Sequence, residues 1–567
     1  MRVLDSRRLT GPGLVLDRPG AVIDLEVGPE RREEAIEAWR AAAGRLLAAV
    51  GWSGETVHVR RFGGGASLAF TAPPDALYAA AELNESAWAA AEAVLAGRSP
   101  SPEDIDLPGL AQSIAAERNP ALLALREAAL ACGVTFLHGE ERVSVGSGRG
   151  VRIWPERALP APAEVDWSGV HDVPTALVTG SNGKTTVVRL LAAMAAATGR
   201  VAGLTSTDAV RVGGRQVDTG DYSGPEGARL LLRQPEVEVA VLETARGGLL
   251  RRGLAVGRAD AGVVTNVADD HLGEFGVETL EARAETKLLV ARAIGPGGRL
   301  ALNADDPVLV AAAARLGAPL AWFSLDPASP LLLGGAAAAT VADGAVVLRE
   351  AGRRETVARV DEIPIALGGA ARHNVANLLA ALAAAGALGI PPGAAAETLR
   401  RFGRDPSDNP GRANLLELGG VRVLVDYAHN PHGFRALAAV TASIPAQRRL
   451  VLLGQAGDRS DAALRDLAAA ALALEPDRVV VKEMDRYLRG RAPGEVPGIL
   501  AAEFRRLGVP ADRVSEGGTE TAAVRQALAW ARPGDLLVLA LHQDREEVVE
   551  LLERLRAAGW TAGQPLP

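Results

Sequence analysis

The sequence predicts an α/β protein of three domains, and three observations predict it. From residue 175 onward, apolar runs of strand length ("TALVTG", "VEVAVLE", "AGVVTNV", "RLALNADD") alternate with helix-length segments, the pattern of a parallel sheet covered by helices. Ahead of them "PERALPAPAEVDWSGVHDVP", 155–174, is proline-rich, lacks apolar periodicity and marks a linker. Within the alternating part "RFGRDPSDNPGRAN", 401–414, breaks any regular element at Gly403, Pro406, Pro410 and Gly411. The expected domains are therefore 1–165 with the linker, 166–403 and 404–567.

The first domain mixes short β-like runs ("AVIDLEV", "TVHVRRF") with alanine-rich helical patterns, so a mixed α+β unit is expected. Its "EEAIEAWRAAAGRLLAAV", 33–50, is an amphipathic helix of the kind that a domain core buries. In the second domain, residues 322–365 interrupt the alternation with short β-like pieces and read as a small insertion; 368–389 then reads as a helix from its apolar spacing. The third domain, with "VRVLVDYAHN", "RRLVLLGQAGD", "DRVVVKEMD" and "DLLVLALHQD", is again α/β.

Composition narrows the function class. A chain of 567 residues, 48% hydrophobic and 23% charged, has material for several packed cores, and its net charge of -8 offers no basic face for nucleic acid. No window approaches the roughly 18 apolar residues of a membrane span. The amino terminus "MRVLDSRRLTGPG" lacks the apolar core of a signal peptide, so a cytoplasmic location is expected. Cys132 has no partner cysteine for a disulfide or a zinc site and reads as a small buried residue. Lysine is rare: Lys184, Lys287 and Lys482 stand among 61 basic residues, a bias that can keep lysine where a compact or reactive amine is needed.

The chemistry begins at "LVTGSNGKTTVVRLL", 177–191. A strand ends at Thr179, Gly180 and Gly183 permit a tight turn, and a helix opens near Thr185. Residues Gly180, Ser181, Asn182, Gly183, Lys184, Thr185 and Thr186 thus form a candidate anion nest, with Lys184 for the β and γ phosphates of ATP and the Thr185 hydroxyl for Mg²⁺. Val178 stands where the common G-x-x-x-x-G-K-[ST] loop has its first glycine. Glu243 and His271 follow the next two strands and Lys287 lies on the helix "LEARAETKLLVARAI". Singly they read as a loop carboxylate, a surface histidine and a helix lysine; together with the loop they suggest a two-metal phosphoryl-transfer site.

The ordered motifs "TGSNGKTT", "LETARGGLLRRGL", "TNVADDHLGEFGVETLEARAETK", "RHNVANLLAALA", "NPGRANLL" and "DYAHNPHGF" resemble the Mur ligases. Over about 175–560, "TDAVRVGGRQVDTGDYSGPEGARLLL", "GDRSD" and "HQDREEVVE" look most like the Mur-like module of the cyanophycin synthetases. The resemblance implies a P-loop ATPase-like Mur central domain and a Rossmann-like Mur carboxyl-terminal domain. It also implies one Mg²⁺ on Thr185 and Glu243, and a second on Glu243, His271 and a CO₂-derived carbamate of Lys287. By the same resemblance Asn374 and Asn377 contact the nucleotide, Arg412 lies near the γ phosphate, and Asp426 and His429 face the ribose and adenine. The implied reaction is an ADP-forming amide ligation through an acyl phosphate.

The amino-terminal part resembles those synthetases more weakly, through "RRLTGPG" and "VSVGSGRGVRIWPE", the run that leads into their ATP-grasp domain. Here about twenty linker residues separate Trp154 from the strand before the phosphate loop, so that domain is absent from this position. One ligation, joining an amino acid or related amine to an aspartate-like or peptide carboxylate, is expected. The alternatives are a glutamate ligase of the folylpolyglutamate or poly-γ-glutamate type and a non-catalytic ATP-binding scaffold. Arg246, Asp458, Arg459, Lys482 and Arg489 are candidates to hold charged substrate groups or, equally, members of surface ion pairs. Small-molecule partners are expected, with neither nucleic acid nor membrane, and a homo-oligomer is possible.

Overall fold

The computed structural model describes residues 1–139, 141–268 and 274–566. Its amino-terminal part holds a four-stranded antiparallel sheet in the order Arg2–Leu9, Gly20–Glu26, Gly65–Thr71, Val57–Phe62. Helix Pro29–Ala49 presents Ile36, Trp39, Ala43, Leu46 and Leu47 to this sheet at helical spacing, and Leu77–Leu95 packs beside it. Helices Leu107–Glu117 and Pro120–Ala131 follow, then a three-stranded antiparallel sheet, Phe136–His138, Arg142–Val145 and Arg152–Pro155. The expected linker is a fixed strap, because Val165 and Val170 bury against Leu122, Leu125 and Val143.

Among the described residues the central sheet has eleven strands. Seven run parallel, in the spatial order Ala202–Thr205, Val239–Glu243, Thr175–Thr179, Ala259–Val264, Ile294–Asn303, Leu320–Ser324, Ala337–Ala342. Side-chain alternation divides their residues between two cores: Ala176 and Val178 meet helices Lys184–Ala196 and Arg372–Ala385, whereas Leu177 meets Leu231, Leu249 and Leu288 on the opposite face. The predicted insertion at 322–365 is corrected. Leu320–Ser324 and Ala337–Ala342 belong to the parallel sheet, and Ala345–Glu350 and Arg353–Arg359 extend it as an antiparallel edge. Tight turns with φ of +53° and +73° at Asp343 and Gly344, and +49° and +76° at Ala351 and Gly352, make those reversals.

The carboxyl-terminal sheet has the order Asn414–Leu418, Val421–Asp426, Leu536–Ala540, Arg449–Leu453, Arg478–Val481, Val514–Glu516; the first pair is antiparallel and the rest parallel. Its helices cover both faces. Among the described residues no helix is long and apolar enough to cross a membrane.

Candidate active site

Three neighbouring parallel strands bring the phosphate loop, Glu243 and Thr265 to one sheet edge: Glu243 pairs beside Val178, and Val264 beside Thr179. Ligands of open α/β sheets gather at such carboxyl ends. Gly180 has φ +150°, and a Cβ there would lie 1.8 Å from Thr265 Oγ1. Gly183, with φ +87°, caps helix Lys184–Ala196, and a Cβ there would lie 2.1 Å from Asn377 Oδ1. Both glycines are required by the close approach of neighbours.

The loop is braced from outside itself. Ser181 N–H donates to Asn266 O at 2.9 Å, Asn182 N–H to Asn266 Oδ1 at 3.0 Å, and Ala268 N–H to Ser181 Oγ at 2.9 Å. The N–H groups of Ser181 and Asn182, expected to face phosphate, are thus spent on Asn266. The first helical turn, Lys184–Thr186, supplies the N–H groups that no helical carbonyl reaches. Asn374 and Asn377 are buried behind the turn: Asn374 Nδ2 donates to Ile365 O at 3.1 Å and Asn377 Nδ2 to Asn374 Oδ1 at 3.3 Å. Asn377 packs against Gly183 of the loop, and Asn374 ties Asn377 to Ile365.

Thr185 Oγ1 donates to Glu243 Oε2 at 2.8 Å and accepts from Arg412 Nη2 at 3.4 Å; Lys184 Nζ folds back on Ser181 O at 3.4 Å. Glu243 is 2% exposed and its Oε1 is buried with no hydrogen-bond partner among the described residues. Burial pushes its carboxyl pKa up, against the pull of Lys184 and Arg412. A hydroxyl beside an unpartnered carboxylate oxygen suits a hard cation, so these residues fit Mg²⁺. Lys287, on helix Leu280–Leu288, is buried and not on a polar face. His271 lies outside the described residues, and among those described no three His, Cys, Asp or Glu side chains converge on a metal position.

The carboxyl-terminal sheet faces this edge. Asp426 ends its strand and accepts from Ala413 N–H at 2.7 Å; burial, opposed by Arg412, pushes its pKa up to about 6. The Arg412 guanidinium lies 4.2 Å from the Tyr427 ring centroid, and the His429 ring 5.5 Å from it. Several members were missed by the sequence reading. Asn182 bridges to His432 Nδ1 at 2.9 Å and accepts from Asn430 Nδ2 at 3.0 Å. Asn409 Nδ2 donates to Thr186 Oγ1 at 3.2 Å. Asp208 pairs with Arg189 at 3.1 Å and with Arg545 at 2.7 Å. Burial works against the Asp208 charge, yet Arg412, Arg545 and Arg189 together hold its carboxyl below the usual range. Asp208 and Arg545 lie in motifs that the sequence singles out, but no local signal pairs them.

The five substrate candidates divide. Asp458 and Arg459 pair at 3.4 Å, and Arg491 Nη2 ties their loop to the one holding Arg489 by donating to Arg459 O at 2.6 Å. Arg489 is exposed, its guanidinium 5.6 Å from the Tyr487 ring centroid. Arg246 opens helix Arg246–Arg252 on the central unit and pairs with Glu274. Lys482 needs correction: it is 0% exposed, its ammonium pairs with Glu520 and lies 3.0 Å from His542 Nδ1, so it is neither a substrate contact nor a surface pair. Glu520 in turn accepts from the N–H groups of His542 and Asp544, fixing the loop before Arg545.

Known proteins match this architecture. Residues 178–385 match the Mur ligase middle domain and residues 411–540 the Mur ligase, glutamate ligase domain. A cyanophycin synthetase of Synechocystis sp. is 38% identical over 391 residues, 68% of this chain and 44% of that one. Another from Trichormus variabilis is 37% identical over 422 residues, 72% and 46% of the two chains. This chain therefore spans less than half the length of those relatives. The E. coli FolC structure in complex with DHPP and ADP shares the fold, at TM-score 0.50 and 20% identity over 68% of this chain and 89% of that one. The UDP-N-acetylmuramoyl-L-alanyl-D-glutamate–2,6-diaminopimelate ligase of Corynebacterium efficiens is 31% identical over 412 residues, 67% of this chain and 74% of that one. With both domain models falling on the two sheets that meet at Thr185 and Arg412, the chain belongs to the Mur ligase family.

Proposed function

We propose that the chain is an ATP-dependent, ADP-forming amide ligase that joins an amino acid or related amine to an aspartate-like or peptide carboxylate. The observation that carries this reading is the junction at Thr185: a hydroxyl on the first turn of the phosphate loop helix, a buried carboxylate with a free oxygen, and a guanidinium from the facing domain. The cyanophycin synthetase relatives favour an aspartate-like acceptor over a folate, and the ADP in the E. coli FolC complex agrees with an adenine nucleotide. We take the domains as 1–165, 166–403 and 404–567.

In the proposed reaction the N–H groups of Lys184–Thr186 and the Lys184 ammonium hold the phosphates. A substrate carboxylate oxygen attacks the γ phosphorus, the bond to the ADP oxygen breaks, and an acyl phosphate forms. The amine nitrogen then attacks the acyl carbon, inorganic phosphate leaves, and the amine proton passes to solvent. Arg412 and Lys184 stabilise the charge that spreads over the transferring oxygens, the largest contribution in phosphoryl transfer. Thr185 and Glu243 would hold one Mg²⁺, and Glu243, His271 and a carbamate on Lys287 a second; these ions would neutralise phosphate charge. Asp426 and His429 would flank the nucleoside. Arg246, Asp458, Arg459 and Arg489 would meet charged substrate groups.

A panel of amino acids and dipeptides, scored for ADP release and ATP-dependent mass gain, tests this. One pair should give a product heavier by the amine less water. Nucleotide binding without product from any pair would favour the scaffold reading.

A further inference from the structure

The amino-terminal sheet grips the segment that leads into the Lys287 helix. Its hairpin turn, between Val57–Phe62 and Gly65–Thr71, aims two backbone N–H groups at one carboxylate: Gly63 donates to Glu278 Oε2 at 2.7 Å and Gly64 to Glu278 Oε1 at 3.1 Å. Arg60, on the same hairpin, donates to Phe275 O at 3.4 Å and Gly276 O at 3.1 Å. The Arg7 guanidinium lies 4.8 Å from the Phe275 ring centroid and is itself fixed by Asp24 at 2.6 Å and Leu250 O at 2.9 Å. The fit is specific on both sides. A Cβ on Gly63 would lie 2.4 Å from Glu278 Oε2, and one on Gly276 2.3 Å from the Phe62 ring.

The gripped segment carries strain. Phe275 has φ +54°, a conformation that an L side chain holds only when its surroundings impose it. Those surroundings include Arg60 on its carbonyl and Arg7 on its ring. Beyond Glu278 the chain enters helix Leu280–Leu288, capped by Thr279 Oγ1, which accepts from Ala282 N–H at 3.2 Å. Arg283 of that helix is 1% exposed and donates to Ala268 O, and Ala268 N–H donates to Ser181 Oγ in the phosphate loop. The path from hairpin to loop is an unbroken series of packed elements and hydrogen bonds.

We infer that the amino-terminal domain sets the geometry of the nucleotide site: Arg60 and the Gly63–Gly64 turn, through Glu278, are positioning residues for the helix that bears Arg283 and Lys287. The inference rests on the nucleotide reading above and adds a role for a domain that the two Mur ligase domain matches do not cover.

The test uses the full chain with Arg60→Ala and Glu278→Ala, and Arg61→Ala as control, since Arg61 pairs with Glu33 on the exposed side of the same strand. ADP affinity is read with a fluorescent analogue, and amide exchange is read by peptide across 280–288. Both test variants should weaken ADP binding by about fivefold or more, a typical coupling between sites, and speed exchange in 280–288 at unchanged melting temperature of the amino-terminal unit. Arg61→Ala should do neither, and Arg60→Lys should recover part of the loss. Unchanged affinity and exchange in both test variants would overturn the inference. If the unaltered chain binds no ADP, the nucleotide reading fails, while exchange in 280–288 still decides whether the hairpin governs that helix.

Discussion

Replacing Glu243 with Gln should make the ligand-free protein more stable and the enzyme inactive. Glu243 is buried, one oxygen bonds Thr185 and the other has no partner among the described residues, and burial outweighs Lys184 and Arg412 in moving its pKa upward. An acid with a raised folded-state pKa weakens the fold when ionised. Its full stability is present below the ordinary glutamate value of about 4.3 and is lost as pH rises from there through the raised value. The amide carries no charge to desolvate but leaves its own N–H groups unpaired in the same pocket, so the net return at neutral pH should be about 1 kcal/mol, the low end of the cost of a buried unsatisfied polar group. For a unit of this size that raises the melting temperature by about 2–4 °C per kcal/mol. The same change weakens the proposed Mg²⁺ ligand, which would neutralise phosphate charge, and kcat should fall about 10²–10³-fold. Differential scanning fluorimetry without nucleotide and steady-state ADP release measure the two effects. Lower melting than the unaltered protein would show that Glu243 serves to hold Lys184 and Arg412. Retention of more than about a tenth of kcat would remove it from the phosphate site.

Lys287→Ala should lose activity about 10²-fold or more, and acetate or formate in the buffer should restore part of it by supplying the missing carboxylate; no recovery at any concentration would refute the carbamate. Arg545→Ala should lower kcat/KM about 30-fold, the equivalent of about 2 kcal/mol for one truncated partner of a buried charge pair. The double variant Asp208→Ala with Arg545→Ala should cost little more than either alone; additive losses would show that the pair does not act as a unit.

What was legible in the sequence followed range. The phosphate loop and Glu243 could be found because a glycine turn, a lysine and a carboxylate after an apolar run are local signals, and the fold then supplied Thr185–Glu243 contact across neighbouring strands. Asn430 and His432 reach Asn182 from about 250 positions away, and Arg545 reaches Asp208 across 337, so one sequence holds nothing that pairs them. Residues 322–365 read as an insertion because period-two strands with tight turns look the same inside a sheet and outside one; pairing with Leu320–Ser324 decides, and pairing is non-local. Lys482 was singled out by rarity, yet its partner Glu520 sits 38 residues later and takes the ammonium into the interior.

The contacts between the two α/β units have a common geometry. Asn182 meets Asn430 and His432, Thr185 meets Arg412, Thr186 meets Asn409, and Asp208 meets Arg545. Three of these central partners lie on the phosphate loop or its first helical turn, so the carboxyl-terminal domain touches the central one where the proposed reaction places the phosphates. Arg412 and Arg545 also share one aromatic ring, their guanidinium carbons 4.2 and 5.9 Å from the Tyr427 centroid. Tyr427, Arg412 and Arg545 are thereby tied into a single cationic face. In the proposed reaction that face arrives as a unit when the domains close, bringing positive charge to the γ phosphate and excluding the water that would hydrolyse an acyl phosphate. In that reading, parting the domains removes both guanidiniums in one movement and leaves the nucleotide to Lys184 and the N–H groups of its helix turn, the contacts that the central domain supplies by itself.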